Sequence, residues 1–317
     1  MVKLQGNSEK RNKANSHKPR VSIGMPVRNG ENFIKEAIDS ILAQTFKDFE
    51  LIISDNASTD KTQEICKAYA AKDKRIRYYR NKKNLGAAYN FNRVFELSRG
   101  GYFKWAAHDD VLKPKFIEKC VKVLDSKLPV ILCYPKTTII DEKGKQKKRL
   151  ESNLNLHSPR PHQRFKQCLK RFRFNLMCNP IFGLMRASNL KQTSLIRNYY
   201  ASDMILFGEL VLIGKFHELP DHLFFRRFHP QRSCIANPSV SERTIWFDPS
   251  KKGKLQLPTW RWFKEYLSAI RHVPLSWYER ICCYFYMGNW VLWNRKDIIK
   301  DISKAIKQVT KINAIKK

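Results

Sequence analysis

From Val21 to Ile140 the chain alternates two kinds of segment, and this alternation restricts its folds more than any other feature. Apolar runs at residues 21–27, 49–54, 76–79, 102–105 and 129–134 are separated by stretches whose apolar residues recur every three or four positions. In the first of these stretches Phe33, Ile34, Ala37, Ile38, Ile41 and Leu42 share one helical face, which predicts a helix over residues 31–44. Further helices are expected up to about residue 71, over residues 84–97, and over residues 114–126 behind the start signal Pro114. Regular strand–helix alternation requires a sheet that is largely parallel, with helices on both faces. The first strand–helix turn, Arg28-Asn29-Gly30, lacks the glycine-rich phosphate fingerprint, which argues against a dinucleotide-binding fold.

The apolar runs end in polar groups. Asn29, Asp55 and the adjacent pair Asp109 and Asp110 each follow a predicted strand. In open α/β sheets the carboxyl edge is where ligands bind. The stretch from Tyr102 to Leu112 is the sharpest case, because an aromatic run stops at His108, Asp109 and Asp110. Two neighbouring carboxylates repel, and a hard divalent cation relieves the repulsion. The other reading is an acidic turn that caps the following helix. Four such residues on one edge favour a site.

Composition adds limits. The chain has 317 residues, 43% of them hydrophobic, and a formal net charge of +33. That charge suits nucleic acid, anionic lipid or a polyanionic substrate. Lysine is spread along the whole chain, so a compositional bias explains the charge equally well. The eight cysteines form no C-x-x-C pair, which speaks against zinc and for reduced core residues in a cytosolic protein. Residues 1–19 are polar and expected to be disordered, without the apolar region of a secretory leader. The longest apolar run, residues 281–293 between Arg280 and Arg295, is too short to span a bilayer.

Beyond Lys145 the pattern loosens. Residues 145–173 read as a basic flexible loop and residues 179–185 as a strand. A helix follows over residues 204–213, with Ser202 or Asp203 at its start and Gly214 at its end. Short strands at residues 216–219 and 223–228 lead into His229 and Arg232. From Trp246 on, aromatics interleave with Lys and Arg. They suit the core of a small helical appendage, base stacking, or contact with anionic lipid. The expected division is a disordered N-terminus (residues 1–19), a main domain (20–235) and a helical extension (236–317).

In order and spacing, Pro26-Val-Arg-Asn29, Ser54-Asp-Asn-Ala-Ser-Thr-Asp60, Asn84-Leu-Gly86 and Trp105-Ala-Ala-His-Asp-Asp110 resemble glycosyltransferase family 2. Asn179-Pro-Ile-Phe-Gly183, Ser202-Asp203 and Arg226-Arg-Phe-His-Pro230 extend the resemblance to about Arg232. It implies a GT-A fold: a mostly parallel Rossmann-like α/β sheet flanked by helices, here with a C-terminal helical appendage. It also implies an inverting, metal-dependent transfer of sugar from a nucleoside diphosphate, UDP above all, to an acceptor hydroxyl in cell-surface glycan synthesis. By the resemblance Asp55 accepts a bond from the base, while Pro26, Asn29, Asn56, Gly86 and His108 line the nucleotide pocket. Asp109 and Asp110 bind Mn2+ or Mg2+, and Arg226 and Arg232 face the diphosphate. His229 is a metal or phosphate ligand, or a structural histidine.

Asp203 falls at the place of the general base. A helix N-terminus would lower its pKa, with Ser202 as the cap, and Glu209 is the second choice of base. The chain departs from the pattern at Ala107 and His108, where the first acid of the motif is missing. The partners implied are a nucleotide sugar, a glycan or lipid-linked hydroxyl acceptor, and an anionic membrane surface at the cytoplasmic face, with no specific nucleic acid. The alternative function is a non-catalytic nucleic-acid or polyanion binder on a degenerate transferase fold.

Overall fold

A computed structural model describes residues 18–151, 154, 156–173 and 179–315; the disorder expected over residues 1–19 lies outside them apart from its last two positions. In chain order the elements are β1 (Val21–Val27), α1 (Ile34–Leu42), β2 (Phe49–Asp55), α2 (Thr62–Lys72), β3 (Ile76–Arg80), α3 (Ala87–Glu96), β4 (Tyr102–Trp105) and β5 (Val111–Leu112). Then come α4 (Phe116–Ser126), β6 (Val130–Ile140), β7 (Gln146–Leu150), α5 (Pro161–Arg173), a 3-10 turn (Asn179–Phe182), β8 (Leu184–Arg186) and α6 (Ala187–Leu190). The rest is α7 (Ser202–Ile213), β9 (Lys215–Arg227), α8 (Ser233–Ala236), α9 (Val240–Phe247), a 3-10 turn (Pro249–Lys251), α10 (Pro258–His272) and α11 (Trp277–Ile315).

The strands form one mixed sheet in the order β3-β2-β1-β4-β8-β6-β9-β5, with β7 added to β6. Strands β3, β2, β1 and β4 are a contiguous parallel block, so their carboxyl ends share one edge. Alternation across the pleat divides two cores. Val21, Ile23, Met25 and Val27 pack with Leu51, Ile53 and the apolar faces of α1 and α4. On the other side Phe103, Trp105 and Ile52 join α3, α5, α7 and α10. Gly24 is required here, because a Cβ would stand 2.6 Å from Val94 of α3. The expected α/β sheet flanked by helices, with a helical C-terminal region, is the fold observed.

Three expectations beyond Lys145 need correction. The loop expected over residues 145–173 contains β7 and α5. Pro161 opens the helix instead of breaking it, and Phe165, Cys168 and Leu169 form its buried face. The strand expected over residues 179–185 is a 3-10 turn followed by a short strand. Pro180 has no N–H to offer a ladder, and Asn179 donates from its side chain to Thr137 Oγ1 at 3.2 Å. The two short strands after Gly214 are one strand, β9. It skips two residues between Leu219 and His222, a bulge that accommodates Pro220.

Lys104 of β4 lies wholly in the core beside α4. Its Nζ donates to Trp105 O at 3.1 Å and to Phe182 O, and it sits 4.5 Å from the centre of the Phe116 ring. Burial pushes its pKa down to about 7. An unfolded lysine titrates near ~10.4. Between the two values the unfolded chain holds a proton that the folded chain has released, so stability rises with pH across this window. The gain from neutral pH to beyond the unfolded value is on the order of 4 kcal/mol. Urea midpoints at pH 7 and pH 9 should show this rise in the native chain and a flatter dependence in Lys104→Met; equal slopes would contradict the assignment.

Candidate active site

The site begins with the turns at the carboxyl ends of β1 and β2. Asn29 and Ala57 are left-handed, with φ of 53° and 58°, and Ala201, ahead of α7, has φ of 60°. Asparagine tolerates this region, whereas each alanine costs about 1 kcal/mol. The turns are locked together. Asn29 N donates to Ser58 Oγ at 2.9 Å, Thr59 N donates to Asn29 Oδ1 at 2.9 Å, and Gly30 N donates to Thr62 Oγ1 at 2.8 Å.

Asp55 lies at the centre of this framework with no exposed surface. Its carboxylate accepts from Ser58 N and Tyr78 Oη, both at 2.8 Å, and pairs with Arg80. Asp55 is engaged by three groups of its own chain, which hold the turn. Asn56 is a similar hub: it accepts from Asn81 Nδ2 at 2.9 Å and Leu85 N at 3.0 Å, and donates to Asn84 Oδ1 at 2.8 Å. Pro26 is buried in β1 beside Ser54. Gly86, expected to line the nucleotide pocket, instead receives the C-terminal region: a Cβ there would lie 2.3 Å from Phe247 O. Asn81 Oδ1 is buried without a hydrogen-bond partner under this framework.

The second half of the site is the turn after β4 and the end of β9. Asp109 Oδ2 and His229 Nε2 are 2.9 Å apart. His108 stacks over the first turn, where a Cβ on Gly30 would meet its ring at 2.7 Å. Asp110 has a different partner from Asp109. It is buried and accepts from Arg227 N at 2.9 Å, so the expected metal ligand is instead a brace between the acidic turn and β9. Burial opposes the charge on Asp109, but the bond to His229 and the charges of both histidines outweigh it and hold the pKa low. Burial and then the charge of Asp109 push Asp110 up.

Arg226 is the common neighbour of the acids. Its charge bears on Asp110 on one side and on Asp203 on the other, and it donates to Asn179 Oδ1. Arg232 stands nearby, its guanidinium 3.8 Å from the centre of the Phe228 ring; burial and the charge of Arg226 lower its pKa. Asp203 lies in the first turn of α7. Its pKa is raised, not lowered as expected: burial outweighs the N–H groups of the helix start and the charge of Arg226. Ser202 is not the cap. It is inside the helix, and its Oγ is buried without a partner. Glu209 is a structural acid, accepting from Ser194 N at 2.7 Å and from Ser194 Oγ.

A divalent cation can be tested against these groups. Two donors 2.9 Å apart match adjacent corners of an octahedron with bonds of ~2.1 Å. A metal on Nε2 would put the ring proton on Nδ1, which is buried without an acceptor, so the fit rests on the Asp109–His229 spacing and not on an outer partner that orients the ring. Among the described residues no cluster of three or more His, Cys, Asp or Glu could hold a metal. Mg2+ and Mn2+ in phosphate chemistry need only one or two side chains, because the phosphates complete the shell. Asp109 and His229 fit that mode.

Three residues have supporting roles that sequence alone did not assign to them. Arg227 is fully buried; Nε donates to Asp109 O at 2.9 Å, Nη1 to Glu142 O at 2.8 Å and Nη2 to Glu36. Phe33 packs under both the Arg227 guanidinium, at 5.0 Å, and the His229 ring, at 4.6 Å. Asn90 ties Ser54 into the turn network, accepting its hydroxyl at 2.6 Å.

The chain matches the model for Glycosyl transferase family 2 over residues 22–191. An uncharacterized glycosyltransferase of Rickettsia typhi is 38% identical over 135 residues, which is 42% of this chain and 41% of that protein. Another from Haemophilus influenzae is 31% identical over 236 residues, 71% of this chain and 70% of its own. The match thus spans only about two fifths of the Rickettsia relative. Among solved structures, S. aureus TarS 1-349 in complex with UDP aligns with a TM-score of 0.52 at 16% identity, over 88% of this chain and 90% of that one. The mannosyltransferase PcManGT from Pyrobaculum calidifontis, in complex with GDP-Man and Mn2+, aligns with a TM-score of 0.50 at 13% identity, over 93% and 88%. These two likenesses are of fold. The family match covers more than half of the chain and agrees with the Haemophilus relative, so the chain belongs to glycosyltransferase family 2.

Proposed function

We propose that this protein is an inverting transferase that moves a sugar from a nucleoside diphosphate, UDP in our reading, to a hydroxyl of a glycan or lipid-linked acceptor in cell-surface glycan synthesis. The observation that carries the reading is the meeting of Asp109, His229, Arg226, Arg232 and Asp203 at one sheet edge. Asp109 and His229 would hold Mn2+ or Mg2+, which, when bound, stabilises negative charge on a departing diphosphate. Arg226 and Arg232 add fixed positive charge on the same group. The turns at Asn29 and Ser58, braced by Asp55 and Asn56, form the nucleotide wall. Asp203 removes the acceptor proton as the acceptor oxygen bonds to the anomeric carbon. The bond from that carbon to the diphosphate oxygen breaks on the opposite side, and its electron pair leaves with the nucleotide. The raised pKa of Asp203 suits it to this work better than an ordinary carboxylate. In this reading the enzyme is cytoplasmic and peripheral at the inner face of a membrane.

The test is a panel of nucleotide sugars with Mn2+ or with chelator, comparing the native chain with Asp203→Asn. One donor should release its nucleotide only with metal. With an acceptor present, Asp203→Asn should lower turnover by about 10²–10⁴-fold while donor binding stays near native. Unchanged turnover would remove Asp203 from the base role. The pH profile gives a second readout. Activity requires the carboxylate, so it should fall as pH drops through a value above the ordinary 3.8 of an aspartate. An acid limb at or below that value would contradict the burial argument.

A further inference from the structure

Helix α11 is apolar on two opposite faces. One face is packed: Cys283, Met287 and Trp290 are buried, and Trp290 stacks on Phe263 of α10 at 6.1 Å. The other is open. Trp277 is 76% exposed, Ile281 58%, Phe285 69%, Leu292 61% and Ile299 61%, with Tyr278 beside them. At ~100° per residue these six side chains fall within an arc of about 100°, on the side away from the packed face. Isolated exposed apolar residues are ordinary, but six on one side of a helix over six turns are not. A helix apolar on both sides requires a partner for each.

Charge identifies the partner. Arg295, Lys296, Lys300 and Lys304 are exposed along the second half of the row, against one exposed acid, Asp297. Asp301 points inward and accepts from Thr259 N at 2.8 Å. A second copy of the chain would set this cationic row against itself, on top of a net charge of +33 per chain. An anionic lipid surface complements both the row and the whole. Aromatic residues at one end, with lysines able to extend their amines past an apolar stripe, suit the boundary between headgroups and acyl chains. Among the described residues no helix is long and apolar enough to cross a membrane.

We propose that the open face of α11 docks this protein on an anionic phospholipid surface, with the helix lying in the plane of the interface. The proposal rests on the transferase reading only in making that surface its place of work. Vesicle binding is measured without donor or acceptor, so either idea can fail alone.

The experiment is co-sedimentation of the whole chain with vesicles of phosphatidylcholine, or of phosphatidylcholine mixed with phosphatidylglycerol. The native chain should bind the mixed vesicles and not the neutral ones. Phe285→Ser combined with Leu292→Ser keeps every charge and alters only exposed side chains. It should lose about tenfold or more in affinity while donor hydrolysis stays native. Replacing Lys296, Lys300 and Lys304 with serine should cost roughly fivefold per lysine, and added salt should reproduce that loss. Equal binding by the native chain and the Phe285→Ser/Leu292→Ser variant would mean attraction by bulk charge alone, and would overturn the proposal. So would failure of the native chain to bind mixed vesicles. A native dimer in sedimentation equilibrium that this variant dissociates would assign the face to a second copy instead.

Discussion

Substituting alanine for Asp109 is expected to lower metal-supported donor turnover about a thousandfold, the scale seen when one group facing developing charge is removed. Asp109 is the carboxylate of the acidic turn that is not committed to the fold. Its side chain is 16% exposed and meets His229 alone, while Asp110 bonds Arg227 N inside the protein. Loss of Asp109 should shift the Mn2+ dependence of turnover, with a stability cost of about 1–3 kcal/mol from the partner lost by buried His229. Asp110→Asn should do the reverse, disturbing the fold before the metal response. Near-native turnover in Asp109→Ala at ordinary Mn2+ concentrations would remove this residue from the metal site.

The second large effect is expected at Arg227. Replacing it with methionine should destabilise the protein by roughly 3 kcal/mol or more. The guanidinium satisfies the carbonyls of Asp109, Asp141 and Glu142 at 2.8–3.1 Å and pairs with Glu36. Methionine fills part of the volume but leaves the Asp109 carbonyl and the Glu36 carboxylate without this donor, a buried acceptor being worth about 1–3 kcal/mol, while Asp141 O keeps Gly144 N at 3.0 Å. Arg227→Lys restores the charge without the planar fork and should recover only part of the loss. Urea midpoints for the three chains measure this. A loss under about 1 kcal/mol in Arg227→Met would show that the buried guanidinium is not what fixes the acidic turn.

The sheet was legible because its signal is local. Val21, Ile23, Met25 and Val27 alternate by themselves, and the helices between strands carry their own apolar faces. The position of Asp109 was legible for the same reason, as the end of an aromatic run. What could not be read depends on which strands become neighbours. Arg226 and Arg227 are adjacent in sequence, and only the pleat of β9 sends the second into the core toward Glu36, 191 positions earlier. The engagement of Asp55 by Tyr78 and Arg80 follows from the pairing of β2 with β3. The raised pKa of Asp203 is a consequence of tertiary burial, which a helix-start rule does not contain. Helix α5 was hidden by Pro159 ahead of it, by Pro161 and by its basic residues, although Phe165, Cys168 and Leu169 carried the spacing.

The most direct measurement is calorimetric titration of nucleoside diphosphates, UDP first, into the native chain and His229→Ala, each with Mn2+ and with chelator. His229 touches the proposed metal position with one nitrogen and has no other hydrogen bond, so its removal isolates that role. The expected result is binding by the native chain that requires Mn2+ and weakens about 10–100-fold in His229→Ala. Binding equal with and without metal in both chains would contradict the metal assignment, and no binding of any nucleoside diphosphate would contradict the transferase reading itself.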